Sequence, residues 1–147
     1  MKLGDYFLII CLVLAVGIAN AQDENATIRV YVSNLRNDDG QIAALLFSSD
    51  DGFPGEQENA IAAITATISG GEAILEFENI QFGIYAVSVV HDEDMSESMN
   101  TNFLGIPSEG YWISNNERGG AFGGPDFENA SFTISDTSIV LIAYFDY

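Results

Sequence analysis

Short runs of alternating apolar and polar residues, separated by turn-forming residues, recur along most of this chain. In the first run Ile28, Val30 and Val32 occupy every second position. A period of two is the pattern of a β-strand with one buried face. Further strands are predicted over residues 41–47, 60–68, 73–77, 84–90, 130–134 and 138–144. Seven strands without a convincing helix predict an all-β fold, a single β-sandwich with Greek-key connections.

The connections between these runs refine the architecture. Residues 37–40, Asn-Asp-Asp-Gly, are a turn signal, so the first two strands are predicted to form a hairpin. An outer-membrane barrel of eight tilted strands is the rival architecture. The predicted strands are only five to nine residues long, and residues 91–126 do not alternate, so the sequence favours the sandwich.

A glycine and a tyrosine open the strand at residues 84–90. Gly83 stands two positions before Tyr85. This spacing is typical of a tyrosine corner, in which the tyrosine hydroxyl donates a hydrogen bond to the backbone a few residues upstream. Gly83 and Tyr85 are therefore predicted to have structural roles.

The first 21 residues have the features of a secretory signal peptide. Lys2 precedes an apolar run over residues 6–18, and the small residues Ala19 and Ala21 stand where a signal peptidase would cut. The run is shorter than the roughly 20 residues of a membrane-spanning helix. We therefore predict a signal peptide at 1–21, one domain at 22–147, secreted or periplasmic localisation, and no stable membrane insertion after cleavage.

The acidity of the chain limits the partners that it can have. The sequence has 22 acidic and four basic residues, for a net charge of −18. Nucleic acids and anionic lipid surfaces are disfavoured, because both are bound mainly through lysine and arginine. A chain of this charge is expected to bind cations. The simpler interpretation, that the charge only keeps an exported protein soluble, stays open.

Residues 91–102, which follow the fifth predicted strand, contain the best candidate for a cation site. Oxygen-bearing side chains stand at alternate positions: Asp92, Asp94, Ser96, Ser98 and Asn100. A loop that winds around calcium brings alternate residues inward. Glycine and a final glutamate, which an EF-hand requires, are absent, so the loop is not an EF-hand.

The missing ligands would come from elsewhere in the chain. The nearest candidates are Asn102, Glu109 and Asp126. Binding is expected to be weak, on the order of 10⁻⁴ to 10⁻³ M, as in other extracellular calcium modules. The alternative is a solvated acidic loop that holds no ion.

His91, the only histidine, precedes this loop. A lone histidine with no cysteine beside it makes a poor zinc site, so we expect His91 to form hydrogen bonds that hold the loop in place.

Two other functions of the protein stay open. One is a small hydrolase that pairs His91 with Asp92 or Glu109 in a pocket lined by Tyr111, Trp112 and Phe122. The other is a binding module for a small ligand or a cell surface, which would use Tyr111 and Trp112 as exposed aromatic residues.

Several motifs, taken in order, resemble those of a bacterial family known as domain of unknown function 2141. The matching stretches lie at residues 80–87, 91–94, 100–110, 114–116 and 122–130. The resemblance extends from Thr27 to Tyr144. It implies an exported bacterial protein with a sandwich related to transthyretin-like or carboxypeptidase-regulatory-like domains. It implies no established activity, and we expect no enzyme.

The resemblance also bears on the acidic loop. In the family this segment typically reads His-Asp-Glu-Asn-Gly-Asn-Gly-x-Leu-Asp, which is similar to a calcium loop. Here Asp94 and Ser96 stand for the two asparagines, Met95 and Glu97 for the two glycines, and Asn100 for the last aspartate. Losing both glycines removes backbone freedom from the turn.

Overall fold

The computed structural model describes residues 25–97, 108–120 and 123–147. These residues form eight strands in two sheets, and the predicted β-sandwich is confirmed. The strands are β1 (Asn25–Ser33), β2 (Gln41–Phe47), β3 (Ala62–Ala66), β4 (Ala73–Gln81), β5 (Gly83–Asp92), β6 (Tyr111–Ile113), β7 (Phe132–Ile134) and β8 (Ser138–Tyr144). Residues 1–24, which include the predicted signal peptide, and residues 98–107 and 121–122 lie outside the described residues.

The two sheets contain different sets of strands. The three-stranded sheet has the order β4-β1-β8, with β8 parallel to β1. The larger sheet has the order β3-β2-β5-β6, and β7 pairs with the start of β5. Its centre is the antiparallel pair β2 and β5, in which Ile42 lies opposite His91 and Gln41 lies opposite Asp92.

The core lies between the sheets because β1, β2 and the first part of β4 bury every second side chain. Ile28, Val30 and Val32 of β1 are fully or almost fully buried, as the sequence pattern predicts. Facing residues of β2 and β5, among them Leu46 and Val87, complete the core. Each such side chain contributes roughly 1.5–3 kcal/mol when it leaves water. The alternation in the sequence is therefore the direct cause of the two-layer packing.

The predicted hairpin between the first two strands is wrong. β1 pairs with β4 and β8, whereas β2 pairs with β3 and β5. The connection carries the chain from one sheet to the other: Asn34 adopts a left-handed backbone (φ 64°) and Leu35 is buried in the core. Because the apolar side chain of Leu35 inserts between the sheets, the chain crosses to the other sheet and does not form the predicted hairpin.

Four short elements were not predicted from the sequence, and two of them are 3₁₀ turns at Gln57–Asn59 and Ser114–Asn116. β6 contributes three residues to the edge of the larger sheet, within a region that lacks alternation. Phe127–Ala130 forms a single helical turn, α1. Its first backbone groups are capped by Asp126, whose carboxylate accepts a hydrogen bond from the Asn129 N–H at 3.1 Å. Among the described residues, no helix has the length and apolarity needed to cross a bilayer.

Candidate metal site at the end of strand β5

Strand β5 begins at a tyrosine corner. The Tyr85 hydroxyl donates a hydrogen bond to the Gln81 carbonyl at 2.9 Å. A Cβ atom at Gly83 would lie 3.2 Å from the Tyr85 ring, so the glycine allows the ring to pack closely against the backbone. This geometry fixes the start of the strand whose other end holds the acidic loop.

Strand β5 ends with two neighbouring residues that face opposite sides of the sheet. His91 points into the sandwich and Asp92 points to the outer face, because successive residues of a strand alternate between faces. Both are buried, with His91 at 0% and Asp92 at 2% exposure. The end of one strand therefore carries two polar side chains into separate environments.

On the inner side, His91 is bonded at both ring nitrogens. Nε2 lies 2.9 Å from the Asp39 carbonyl, and Nδ1 lies 2.6 Å from the Tyr147 hydroxyl. Because a carbonyl only accepts, Nε2 carries a hydrogen and donates it to Asp39, and Nδ1 shares a hydrogen bond with the Tyr147 hydroxyl. Burial raises the pKa of Tyr147, which keeps its hydroxyl protonated as a donor. His91 thus joins the end of β5 to the turn before β2 and to Tyr147.

An ion pair between Arg36 and Glu93 lies at the surface beside His91 and Tyr147. Arg36 donates hydrogen bonds to both carboxylate oxygens of Glu93, and Asn37 adds another at 2.8 Å. The Arg36 guanidinium also lies 4.7 Å from the centre of the Tyr147 ring. The hydrogen bonds from Arg36 and then from Asn37 lower the pKa of the Glu93 carboxyl, although burial acts in the opposite direction. We call His91, Tyr147, Arg36 and Glu93 the anchor.

On the outer side, three carboxylates meet. One oxygen atom from each of Asp92, Asp94 and Glu109 lies within 4.8 Å of the other two. Asp92 and Glu109 are buried and Asp94 is exposed. We call these three residues the acidic cluster. Glu109 joins it from beyond residues 98–107, close to the start of β6.

Backbone N–H groups hold the carboxylates of the acidic cluster in place. Asp92 accepts from the Ser96 N–H at 2.9 Å and from the Glu97 N–H at 3.2 Å. Asp94 accepts from the same Ser96 N–H at 3.1 Å, and Glu109 accepts from the Glu93 N–H at 3.2 Å. The chain after β5 therefore curls around the Asp92 carboxylate.

This curl requires an unusual backbone. Met95 and Glu97 have φ values of 56° and 57°, in the left-handed region that favours glycine. They are the two residues that stand at the glycine positions of the family resemblance. Glycine adopts this backbone without steric strain, whereas a residue with a Cβ atom costs roughly 1 kcal/mol at each position.

Of the other predicted cation ligands, Ser96 and Asp126 are among the described residues. Ser96 takes part through its backbone N–H, and its side chain is exposed. Asp126 is the cap of α1 and is not one of the three grouped carboxylates. Ser98, Asn100 and Asn102 lie outside the described residues. Asp92 and Asp94 of the predicted loop and Glu109 of the remote candidates are thus the ones that come together.

The geometry gives little support to the alternative function, a small hydrolase that uses His91. Both ring nitrogens of His91 are already bonded within the protein, and the Asp92 side chain lies on the other face of the sheet. Phe122, a predicted pocket residue, lies outside the described residues.

The expectation that Trp112 is exposed is wrong. Its side chain is 7% exposed, because it faces the core opposite Val89. Its neighbour Tyr111 is on the outer face, partly exposed.

Sequence reasoning missed several residues that shape this site. Gln41 donates to Asp92 at 3.3 Å across the β2–β5 pair. Arg36 and Tyr147 complete the anchor, and Asn37 donates a hydrogen bond to its Glu93. Arg36 carried a usable signal, because a rare arginine in a strongly acidic chain is expected to pair with a carboxylate. Tyr147 carried none, since it lies 56 residues from its partner His91.

Comparisons with known proteins agree with the motif resemblance. Residues 30–141 match the profile of a family described as "Uncharacterized protein conserved in bacteria (DUF2141)". Neither the curated proteins nor the solved structures contain a match to the chain. The matched region extends from β1 into β8 and includes the acidic cluster. This chain is therefore a member of that bacterial family of uncharacterized proteins.

Proposed function

We propose that the protein is an exported, non-enzymatic β-sandwich that binds calcium weakly through the acidic cluster, and that the ion orders the loop after β5. One observation carries the proposal: carboxylate oxygens of Asp92, Asp94 and Glu109 lie within 4.8 Å of one another. Calcium is bound by oxygens at 2.3–2.6 Å, so oxygens on opposite sides of one ion are about 5 Å apart.

The chemistry of the cluster favours a hard cation. Its donors are all carboxylate oxygens, and such donors suit calcium or magnesium better than zinc or copper. Three like charges repel one another, and a divalent ion between them would remove that repulsion. The net charge of −18 would further raise the local concentration of cations.

The arrangement also favours calcium over magnesium. Magnesium requires nearly ideal octahedral geometry, whereas calcium accepts irregular sets of six to eight oxygens. Asp92 and Glu109 are buried and held by backbone N–H groups, but Asp94 is exposed. A site that is half preorganised and open to water fits a dissociation constant on the order of 10⁻⁴ to 10⁻³ M.

Calorimetric titration of the purified protein with calcium tests this proposal. We expect saturable binding that weakens at least tenfold in Asp92→Asn and Glu109→Gln variants. Glu78→Gln is the matched control, since it removes one exposed carboxylate from β4 in the other sheet. Equal binding by all four proteins would mean that calcium only follows the overall charge, and the proposed site would be rejected.

Export is a separate part of the proposal. Its support is the signal-like pattern of residues 1–21 and membership of a bacterial family. Mass spectrometry of the protein from fractionated bacterial cells should find a chain that begins at Gln22 outside the cytoplasm. Recovery of the uncut chain from the cytoplasm alone would contradict export and would leave the calcium site untouched.

A further inference from the structure

A trough of about 660 Å³ lies on the outer face of the larger sheet. Its floor is formed by side chains that point away from the core, including Ala43 and Leu45 of β2 and Val90 of β5. Thr65 of β3 continues the floor beside Ala43. A volume of this size is within the range of pockets that hold small molecules.

Two features of the fold give the trough its depth. The floor contains small residues, and Ala43 of β2 and Ala63 of β3 leave space above the sheet. Loop residues also line it: Pro54 and Gly55 from the segment after β2, and Gly124 and Pro125 from the segment before α1. The Ser88 hydroxyl donates to the Pro54 carbonyl at 2.8 Å and fixes one wall to the sheet.

The two ends of the trough differ in chemistry. At one end Ile113 of the floor belongs to a small apolar cluster that Phe53 and Phe127 cover. At the other end lie the carboxylates of Asp92 and Glu97. The trough is therefore apolar along its length and negatively charged at one end.

The one basic residue among the described lining residues does not reverse this polarity. Arg118 is mostly exposed, and its guanidinium lies 3.5 Å from the Asp146 carboxylate, which offsets its charge. A ligand with a carboxylate head would meet Asp92, Glu97 and a chain of net charge −18. An ammonium group would find complementary charge at the same place.

We infer that the trough binds a small apolar molecule with an amine head, its body on Ala43, Leu45 and Val90 and its ammonium group at Asp92 and Glu97. This inference goes beyond the proposed calcium site and does not depend on it. Because calcium and the amine would share Asp92, the amine is tested in the presence of a chelator. A failure of one proposal then says nothing about the other.

The outer face of the three-stranded sheet provides an internal control for non-specific binding. Its exposed apolar side chains include Tyr31, Ile74 and Ile142, which lie side by side on three adjacent strands. None of these three side chains lines the trough. A ligand that merely prefers apolar surface would bind both sheets, whereas a ligand of the trough would not bind the three-stranded sheet.

Calorimetric titration with three probes that share one apolar body tests the inference: octylamine, 1-octanol and octanoate, each below its aggregation limit. We expect octylamine to bind at least tenfold more tightly than the other two. Ala43→Phe should fill the floor and weaken octylamine binding at least tenfold. Thr65→Phe, on an exposed edge strand where an aromatic residue is well tolerated, does the same if Ala43→Phe fails to fold.

Two further variants separate charge recognition from simple apolar contact. Glu97→Gln should weaken octylamine binding several-fold and leave 1-octanol unchanged, because only the ammonium group senses the lost charge. Ile142→Thr on the other sheet should change neither. Equal affinity for the three probes, or equal weakening by Ile142→Thr and Ala43→Phe, would overturn the inference.

Discussion

The anchor and the acidic cluster are built on neighbouring residues of one strand, yet they differ in how their polar groups are satisfied. On the inner side the imidazole of His91 has a partner for each nitrogen, and Glu93 is paired with Arg36. On the outer side Asp92, Asp94 and Glu109 are held by N–H groups but bring three negative charges together. The anchor pairs a carboxylate with a guanidinium, whereas the cluster brings like charges together, so the anchor is suited to stability and the cluster to a cation.

Removing the histidine should give the largest effect on stability. We expect His91→Ala to lower the free energy of unfolding by about 3 kcal/mol, because it leaves a cavity and deprives the Tyr147 hydroxyl and the Asp39 carbonyl of their partner. Urea denaturation measures this. A loss below about 1 kcal/mol would show that the anchor contributes little and would erase its contrast with the cluster.

Calcium should stabilise the protein through the cluster and not through the anchor. At a free calcium concentration one hundred times the dissociation constant, we expect the free energy of unfolding to rise by about 2.7 kcal/mol. His91→Ala, if folded, should keep this increment, whereas Asp92→Asn should lose it. Urea denaturation with and without calcium provides the measurement, and loss of the increment in both variants would mean that the two regions act as one.

Acid should weaken the anchor in a defined direction. The pKa of Glu93 is lowered in the folded protein, so its contribution is present above the ordinary carboxyl value of 4.5 and is lost as pH falls through the lower folded value. The expected size is about 1 kcal/mol, as for a well-formed surface ion pair. Denaturation between pH 6 and 3 should show a shallower decline for Glu93→Gln than for the unchanged protein. Identical slopes would contradict this role.

The smallest expected effect comes from the backbone of the acidic loop. Because Met95 has a φ of 56°, Met95→Gly should relieve left-handed strain and stabilise the protein by about 0.5 kcal/mol after the entropy of glycine is included. Met95→Ala, which keeps a Cβ, is the control and should give no gain. Urea midpoints compare the two. A loss of stability in the glycine variant would argue against a strained loop.

The strands were the most predictable part of the fold. β1, β2 and β8 agree with their predicted runs because alternation depends only on which residues of a local segment are apolar. The sequence was a poorer guide to which of the two sheets each strand joins. The turn signal at residues 37–40 is real, but buried Leu35 carries the chain across the sandwich, so the local signal gave the wrong partner for β1. β6 was missed because three residues are too few to show a period.

The residues of the candidate site also differed in how well the sequence predicted them. Residues Asp92 and Asp94 stood out by spacing along the chain, whereas Glu109 was only one of three remote candidates. Asp126, another of the three, caps α1 instead. No pattern in the sequence distinguishes a carboxylate that returns to a loop from one that caps a helix, because the difference lies in the path of the intervening chain.

The sequence by itself determined the β-rich fold, the acidic character of the chain and the segment in which carboxylates are concentrated, because each depends on the composition or periodicity of neighbouring residues. Tertiary structure alone decided that His91 faces inward to Tyr147, that Asp92 faces outward to Glu109, and that the larger sheet bears a trough. These features depend on side chains far apart in the chain, and such contacts follow from how the two sheets pack.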